Sequence, residues 1–503
     1  MKPEHLPLLK SVSAPAVHPD GSHAVVAVVR PDFDADSYVG QLWAVPSDPQ
    51  QKPRRLTRGF RDTAPAFSPD GRVLAFVRAA AGGKPQLHVV EAGGGEPVAV
   101  TDAPLGVGAF AWSPGSGSIV FAARTPDDGR YGTVDGVSAG GEDARLITDY
   151  QYRMNGVGYT ADKPQQLFLI DVPDLADEPW VAPAGRALTA TSGKDADKTA
   201  GNLPETRQLT TAATDHNGPV FSADGNFVYF TAALHDGHDQ DLVTGIYRVA
   251  VDAGLGVGDG PEQVEPGSAG RLSVSAVRQS RDGRWLYFSA QDLGPAGLDF
   301  VARNTALYVM PSGGGDAVLL SDPETQDIGG PVEPAGAEEV LVLNNGRGAV
   351  ELLRFGTAGP VAALSDGPQV VTGAAEAGGT VWLSLTDAGT AGDVAVVEAT
   401  GLRVLTDFSA QLRDEAGVVV PQELTFAAPD GYPVHGWLVR PADEGPHPVL
   451  LNIHGGPFAQ FTGALFDEAQ VYAAAGYAVL MCNPRGSAGY GQAHGRAIKE
   501  QMG

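Results

Sequence analysis

The sequence predicts an all-β chain built as a propeller over most of its length, followed by a shorter segment that mixes strands and helices. Three observations support this fold class. A block of residues with the same turn chemistry recurs through residues 13–407. The composition, with 66 Gly, 38 Pro and 7% aromatic residues, favours short strands separated by many turns. After Thr406 the repeat stops and strand and helix patterns alternate.

Each repeat begins with a hairpin, whose clearest copy is Ala64–Gly71 followed by the apolar run Val73–Val77. The Asp-Gly pair in this turn tolerates the positive φ that a tight hairpin needs. The strand after the turn is continuously apolar rather than alternating, so we expect both of its faces to be buried. A third strand and a short fourth strand ending in Leu-Thr or a relative follow, as in Leu56-Thr57.

Four strands at a period of roughly 40 to 55 residues are typical of a propeller blade. A β-sandwich also uses short strands, but a fixed period with constant turn chemistry favours radial repetition. Seven copies predict a seven-bladed β-propeller over residues 13–407, after an N-terminal segment at 1–12. The third copy is overlong, with an insertion of about forty residues, roughly 124–165, between its second and third strands.

The C-terminal part has the pattern of the first part of an α/β-hydrolase domain. We interpret residues 408–420 as a linker and 421–503 as the incomplete domain. The apolar strand Pro448–Ile453 runs into His454-Gly455-Gly456-Pro457, a helix is predicted over Phe466–Ala475, and the next strand is Tyr477–Cys482. A further helix is expected to continue to the end of the chain.

The Gly-Gly pair after this strand predicts one half of an oxyanion hole. Glycines let backbone N–H groups turn inward without a Cβ in the way, and such donors stabilise the oxygen that becomes negative when a carbonyl is attacked. Gly456 is the predicted donor. His454 precedes the nucleophile in the chain order of this fold, so we assign it to holding the loop rather than to general base catalysis.

Two other residues near these motifs are candidates with open alternatives, and a third, Ser487, is not taken for the nucleophile. Arg485 either meets a substrate carbonyl or carboxylate or fixes its own loop. Phe458 either lines the substrate pocket or packs beneath it. Ser487 lacks the strand–turn–helix context of a nucleophile.

Two apparent sites are interpreted as turns. Gly136–Gly140 matches the Gly-x-Ser-x-Gly pattern but lies in a turn-rich segment, and His235–Asp241 carries possible metal ligands in what reads as a hairpin loop. The single cysteine, Cys482, excludes internal disulfides and any zinc site built on several cysteines. No metal and no cofactor are expected.

The net charge of −26 repels nucleic acid and anionic membrane surfaces. The N-terminus has no apolar core of signal-peptide length, and no run approaches the roughly 18 to 20 apolar residues of a membrane span. A cytoplasmic protein is expected.

The repeats with Ser-Pro-Asp-Gly turns, His454–Pro457 and the motif Asn483–Gly491 together resemble the prolyl oligopeptidase family of serine peptidases, nearest to its acylaminoacyl-peptidase branch. The resemblance covers nearly the whole chain. It implies a Ser-Asp-His triad between the two domains, a propeller that keeps folded proteins from the site, short peptide substrates, and oligomers, which are common in this branch.

Of the functional groups that the family implies, only the oxyanion loop at Gly456 maps onto this sequence. We expect the nucleophile, acid and base beyond Gly503, in a C-terminal part that acts as a partner of this chain, so the 503-residue chain alone should be inactive. Two alternatives stay open: a non-catalytic propeller scaffold with a vestigial hydrolase segment, and an esterase on the same fold.

Overall fold

The computed structural model describes residues 1–134, 136–179, 181, 203–252, 260–264, 271–456 and 458–501. Among these residues the chain is mostly β, with antiparallel four-stranded units up to Val404 and a small mixed sheet after it. Two sheets hold a pair of units each, joined by single parallel bridges at Gly40–Arg61 and Val350–Val370.

The strands follow the sequence repeats in order. Repeats 1 to 3 comprise β1 Ser11–Val12, β2 Ala16–Val17, β3 His23–Asp32, β4 Ser37–Pro46, β5 Arg54–Arg55; β6 Arg61–Phe67, β7 Val73–Ala79, β8 Gln86–Glu91, β9 Val98–Ala99; β10 Val107–Trp112, β11 Ser118–Arg124, β14 Gln165–Asp171 and β15 Thr206–Gln208, with the insertion strands β12 Arg153–Met154 and β13 Gly158–Tyr159. Repeats 4 and 5 comprise β16 Asn217–Phe221, β17 Phe227–Ala232, β18 Gly245–Ala250, β19 Glu262–Gln263; β20 Leu272–Gln279, β21 Trp285–Asp292, β22 Ala306–Pro311 and β23 Val318–Leu319. Repeats 6 and 7 comprise β24 Ile328–Ala335, β25 Glu339–Gly346, β26 Ala349–Gly356, β27 Gly359–Ala363; β28 Val370–Ala377, β29 Thr380–Asp387, β30 Thr390–Glu398 and β31 Gly401–Val404.

The predicted burial of the second strands is confirmed. In β7, Leu74, Ala75 and Phe76 are each 2% exposed or less, although their side chains point to alternate faces. Such a strand is covered on both sides by neighbouring repeats, which explains its continuous apolar sequence.

The turn and the Leu-Thr ending have specific structural tasks. Ser68 Oγ donates to Asp70 at 2.6 Å and accepts the backbone N–H of Val73 at 3.0 Å, while Gly71 has φ +76°. At the end of the previous repeat, Thr57 is buried and its Oγ1 accepts the backbone N–H of Leu42 at 3.0 Å. Equivalent hydroxyls are those of Thr101, Thr210, Ser321, Ser365 and Thr406. A buried backbone donor is thereby satisfied in repeat after repeat.

The first and last repeats contact each other, so the series closes into a propeller-like ring. A Cβ added to Gly373 of β28 would lie 2.4 Å from the Cβ of Ala14, and one added to Gly392 of β30 would lie 2.8 Å from the backbone N of Val12. Trp382, buried in β29, packs in one apolar cluster with Val26 and Val45 of repeat 1.

After the ring, the chain forms a four-stranded sheet in the order β32-β33-β35-β34, with β34 parallel to β35. In the edge strand β34, Val449 and Leu451 are 66% and 55% exposed, and Ile453, directly after the strand, is 79% exposed. One face of this strand is therefore uncovered. The elements are α1 Ala410–Ala416, β32 Gln422–Ala427, β33 Pro433–Val439, β34 Val449–Asn452, α2 Asp467–Ala474, β35 Ala478–Asn483 and α3 Gln492–Arg496.

Two expectations about this region are wrong in detail. The segment interpreted as a linker contains α1, which buries Leu412 and is anchored by Ser409 Oγ, the acceptor for the backbone N–H of Ala391 at 3.0 Å. The final helix stops at Arg496 instead of continuing, because the chain turns there and the Lys499 ammonium donates to Asp299 of the propeller at 2.7 Å.

The C-terminal segment sits on loops that join the second and third strands of repeats 5, 6 and 7. The backbone N–H of Asn304 donates to Gln492 at 3.1 Å, that of Arg347 to the carbonyl of Gly489 at 2.7 Å, and that of Leu465 to the carbonyl of Asp387 at 2.7 Å. The turns between the first and second strands, such as Asp282-Gly283, lie at the opposite ends of the same second strands, so the segment covers one face of the ring.

Candidate active site

The first site loop leaves β34 at His454. Gly455 and Gly456 are exposed, and Gly456 has φ +124°, a conformation that favours glycine. Their two backbone N–H groups donate to no acceptor among the residues that the structure describes. Because these donors are not used within the described structure, they are available to bind an oxyanion.

The second site loop follows β35 and is joined directly to the first. Ser487 is 1% exposed, and its Oγ lies 3.0 Å from Nε2 of His454. The backbone N–H of Ala488 donates to the carbonyl of Ala459 at 2.9 Å. The two motifs recognised in the sequence therefore form one surface.

The hydrogen bonds of His454 show how it holds the loop. Its Nδ1 lies 3.0 Å from the carbonyl oxygen of Gly455, which can only accept, so Nδ1 carries the hydrogen and Nε2 accepts from the Ser487 hydroxyl. Neither partner is a carboxylate, and the serine is shielded from solvent. This pair therefore holds the two loops together, and it does not have the arrangement of a nucleophile and its base.

Polar residues that the sequence reasoning did not single out hold the second loop from behind. Asn483 accepts the backbone N–H of Phe461 at 2.8 Å and donates to Tyr490 Oη at 2.9 Å, and His435 Nδ1 lies 2.6 Å from the same oxygen. Burial raises the pKa of Tyr490, so its hydroxyl stays protonated. Asn483 and Tyr490 stand within the recognised motif, but His435 lies on β33 and carries no sequence signal.

Arg485 is fixed by side chains of the neighbouring hairpin. It forms an ion pair with Asp430, and its guanidinium carbon lies 4.6 Å from the centre of the Tyr432 ring. The Asp430 pKa is lowered, first by the backbone N–H of Tyr432 and then by Arg485. With 46% of its side chain exposed, Arg485 keeps donors free toward solvent.

Phe458 packs where the loop, α3 and the propeller meet. A Cβ added to Gly495 would lie 2.6 Å from the Phe458 ring and 3.3 Å from the Cβ of Ala302. The Phe458 side chain therefore packs against α3, close to Ala302 of the propeller, and supports the loop from that side.

The propeller contacts both site loops. The backbone N–H of Gly348 donates to Gln460 Oε1 at 3.0 Å, and the Arg347 guanidinium carbon lies 5.7 Å from the centre of the Tyr490 ring. The surface around Gly456 thus lies beside the boundary between the ring and the small sheet.

A cavity of about 220 Å³ lies on the same face of the ring, between the insertion of repeat 3 and a loop of repeat 4. Asp149, Asp215, His238 and Asp239 are among its lining residues. Nearby, His235 Nε2 lies 3.1 Å from the Asp241 carboxylate, within a hairpin loop. Ser138 of the Gly-x-Ser-x-Gly match is exposed and precedes a short 3-10 helix.

Comparison with known proteins identifies relatives over the whole length of the chain. Residues 401–502 match the family described as acetyl xylan esterase (AXE1). The chain is 28% identical over 510 residues to "Uncharacterized peptidase YuxL" of Bacillus subtilis. This match covers 98% of this chain and 72% of that protein. A shorter match, 36% over 76 residues, covers 14% of this chain and 11% of dipeptidyl-peptidase 5 of Schizosaccharomyces pombe.

Solved structures show the same fold at low sequence identity. An acylaminoacyl peptidase of Pyrococcus horikoshii superimposes with a TM-score of 0.74 at 16% identity, covering 99% of this chain and 69% of that one. A puromycin-hydrolyzing peptidase of Mycobacterium tuberculosis gives a TM-score of 0.64 at 18% identity, with coverages of 99% and 69%. The predicted resemblance to serine peptidases with a propeller and a hydrolase domain is therefore confirmed.

In the described part of the chain, no helix has the length and apolar character needed to cross a membrane.

Proposed function

We propose that the complete protein is a serine peptidase that hydrolyses short peptides through an acyl-enzyme, of the acylaminoacyl-peptidase or oligopeptidase type. The observation that carries this proposal is the exposed Gly455-Gly456 turn, whose N–H groups lack acceptors among the described residues while His454 and Ser487 hold its shape. The similarity to peptidases over 98% of the chain supports the same reaction class.

In this proposal the N–H of Gly456 donates to the oxygen of the tetrahedral intermediate. The donor is fixed before the reaction, so its stabilisation is largest when the oxygen is negative. Phe458 and Arg485 border the substrate. No residue of this chain is assigned as the attacking hydroxyl, the acid or the base.

The propeller supplies size selection in this scheme. A ring of seven blades covering the site would admit extended peptides and keep folded proteins out. The acidic cavity of repeats 3 and 4 opens on the face that carries the site loops, which supports a peptide path along this face. Cytoplasmic location and assembly into homo-oligomers belong to the same proposal.

An esterase is the second candidate, because residues 401–502 match an esterase family. Esters and peptides react through the same oxyanion, so the site loops serve either substrate. A non-catalytic scaffold would leave the Gly455-Gly456 donors without a use.

One experiment separates these three readings. The complete protein, including any sequence beyond residue 503, is incubated with a fluorophosphonate probe and with matched acylated aminoacyl anilides and esters. We expect covalent labelling. We also expect the anilides with an acylated or short peptide portion to be hydrolysed, and not only the matched esters. Ester hydrolysis alone would establish the esterase, and absence of both labelling and turnover would refute the enzyme.

A further inference from the structure

Repeat 1 departs from the other repeats at two positions of its turn. In repeats 2, 4 and 5 the turn opens with a serine, and the strand after it begins with an apolar residue. Repeat 1 has His18 and His23 at these positions, on either side of the aspartate that all four turns share, here Asp20. The serines are Ser68, Ser222 and Ser280, and the apolar residues are Val73, Phe227 and Trp285.

The serine is useful where it occurs, so its replacement calls for a reason. In repeats 4 and 5, as in repeat 2, the serine hydroxyl donates to the turn aspartate and accepts the first N–H of the next strand, at 2.5 to 3.1 Å. Both substitutions in repeat 1 place an imidazole beside Asp20, at a turn where no other compared repeat has a metal-binding side chain besides its aspartate.

The hydrogen bonds of His18 leave a place for a positive charge. Its Nε2 lies 3.1 Å from the carbonyl oxygen of Gly71, which can only accept, so Nε2 carries a hydrogen. Its Nδ1 lies 2.7 Å from Asp20 Oδ1. Nδ1 also accepts the backbone N–H of Asp20 at 3.4 Å, so in the neutral ring it is an acceptor beside a second acceptor, Asp20 Oδ1, and a metal cation between these two atoms would relieve their repulsion.

His23 provides a third ligand at the same place. Its ring stacks on that of His18 with centroids 4.9 Å apart, and one ligand atom from each of His18, Asp20 and His23 lies within 4.8 Å of the others. A tetrahedral zinc ion separates its ligands by about 3.4 Å, so small side-chain rotations complete the site.

We propose that His18, Asp20 and His23 bind one zinc ion, with water completing the coordination. Two imidazoles and a carboxylate form a donor set that suits zinc better than calcium or magnesium, which prefer oxygen ligands. The hydrogen bond from His18 Nε2 to Gly71 is the kind of outer contact that orients a metal-bound imidazole.

The position of this turn indicates that the zinc stabilises the ring rather than taking part in hydrolysis. The turn lies on the face away from the site loops. His18 contacts Gly71 of repeat 2, and a Cβ added to Gly378 of repeat 7 would lie 2.6 Å from the carbonyl oxygen of Asp20. Among the described strands, repeats 1 and 7 belong to different sheets, so the turn bridges the place where the ring closes.

The test uses the complete protein, stripped with EDTA and titrated with zinc chloride by calorimetry and thermal melting. We expect one zinc ion per chain and a rise in Tm of about 3 °C at a hundredfold excess over Kd. The double variant His18→Ser/His23→Val restores the residues of the other repeats and should fold, keep its Tm in EDTA and lose the zinc response. His238→Ala, beside the His235–Asp241 pair of repeat 4, is the matched control and should bind zinc like the wild type.

Two results would overturn the proposal. Zinc that neither binds stoichiometrically nor raises the Tm of the wild type would mean that the turn is held by its own hydrogen bonds, without a metal ion. Equal zinc binding by the double variant would mean that the ion binds elsewhere.

Discussion

Substituting Gly456 by alanine perturbs the proposed oxyanion donor with little effect elsewhere. At φ +124°, a Cβ at this position would lie 2.7 Å from the backbone N of Phe458 and 3.1 Å from its carbonyl carbon. The neighbouring Gly455 offers a matched control, because no heavy atom of the residues described by the structure lies within 4 Å of a Cβ added there and its φ is not in the left-handed region. Alanine at 456 must therefore move the loop, whereas alanine at 455 does not.

The size of the effect follows from the geometry. The contact with backbone atoms cannot be relieved by rotating a side chain, so the turn shifts and its N–H leaves the position of the oxyanion. Loss of one such donor lowers kcat by about 10² to 10³, equivalent to about 2.7–4 kcal/mol. KM should change little, because the donor acts mainly in the transition state.

The assay measures kcat and KM of the complete protein on an acylated aminoacyl p-nitroanilide, with Tm as a check on folding. We expect Gly456→Ala to lose at least about a hundredfold in kcat and Gly455→Ala to remain within about threefold of the wild type. A Gly456→Ala enzyme with near wild-type kcat would refute the assignment. Equal losses in both variants would show that the loop, and not this donor, is responsible.

Three further predictions concern residues around the site. Ser487→Ala should retain fluorophosphonate labelling and lower kcat by less than about tenfold, because its hydroxyl only holds the loop; complete loss of labelling would make Ser487 the nucleophile. Arg485→Ala and Asp430→Asn should have equal, non-additive effects on kcat/KM, since the two side chains form one pair; a KM increase confined to Arg485→Ala and to substrates with a free carboxylate would assign substrate binding instead. Asp299→Asn should lower Tm by about 1 °C at pH 7. Hydrogen bonds from Lys499, then Arg496 and Arg303, hold the Asp299 pKa well below its unfolded value, so this stability is fully present above about pH 5, begins to fall below the unfolded pKa and is lost as pH falls through the folded pKa; a Tm difference that does not shrink as the pH is lowered from 7 to 3 would contradict this assignment.

Local features of the fold could be predicted from the sequence because the residue types within each repeat determine them. The Asp70-Gly71 turn, the buried strand after it and the short fourth strand all follow from residue type and spacing. The function of Thr57 in capping a backbone N–H was not evident, although a threonine or serine recurs at this place in most of the repeats, which marked it as a constrained position.

Contacts between distant parts of the chain could not be predicted in this way. Asp299 pairs with Arg496 and Lys499 nearly two hundred residues later, and no local pattern encodes that pairing. The same contact lies at the end of α3, a boundary that propensity alone does not indicate.

In the candidate site, too, local features could be predicted from the sequence and contacts between distant residues could not. The Gly455-Gly456 turn was evident from the strand that precedes it. The fastening of His454 by Ser487 required the structure, because it joins two loops whose separation in space is set by the pairing of β34 with β35.

The most direct measurement is a crystal structure of the complete protein with a peptide boronic acid, whose tetrahedral oxygen imitates the oxyanion. The account predicts that this oxygen lies about 2.7–3.1 Å from the backbone N of Gly456. An adduct whose oxygen is held by other donors, with the Gly456 N–H turned toward solvent, would contradict it.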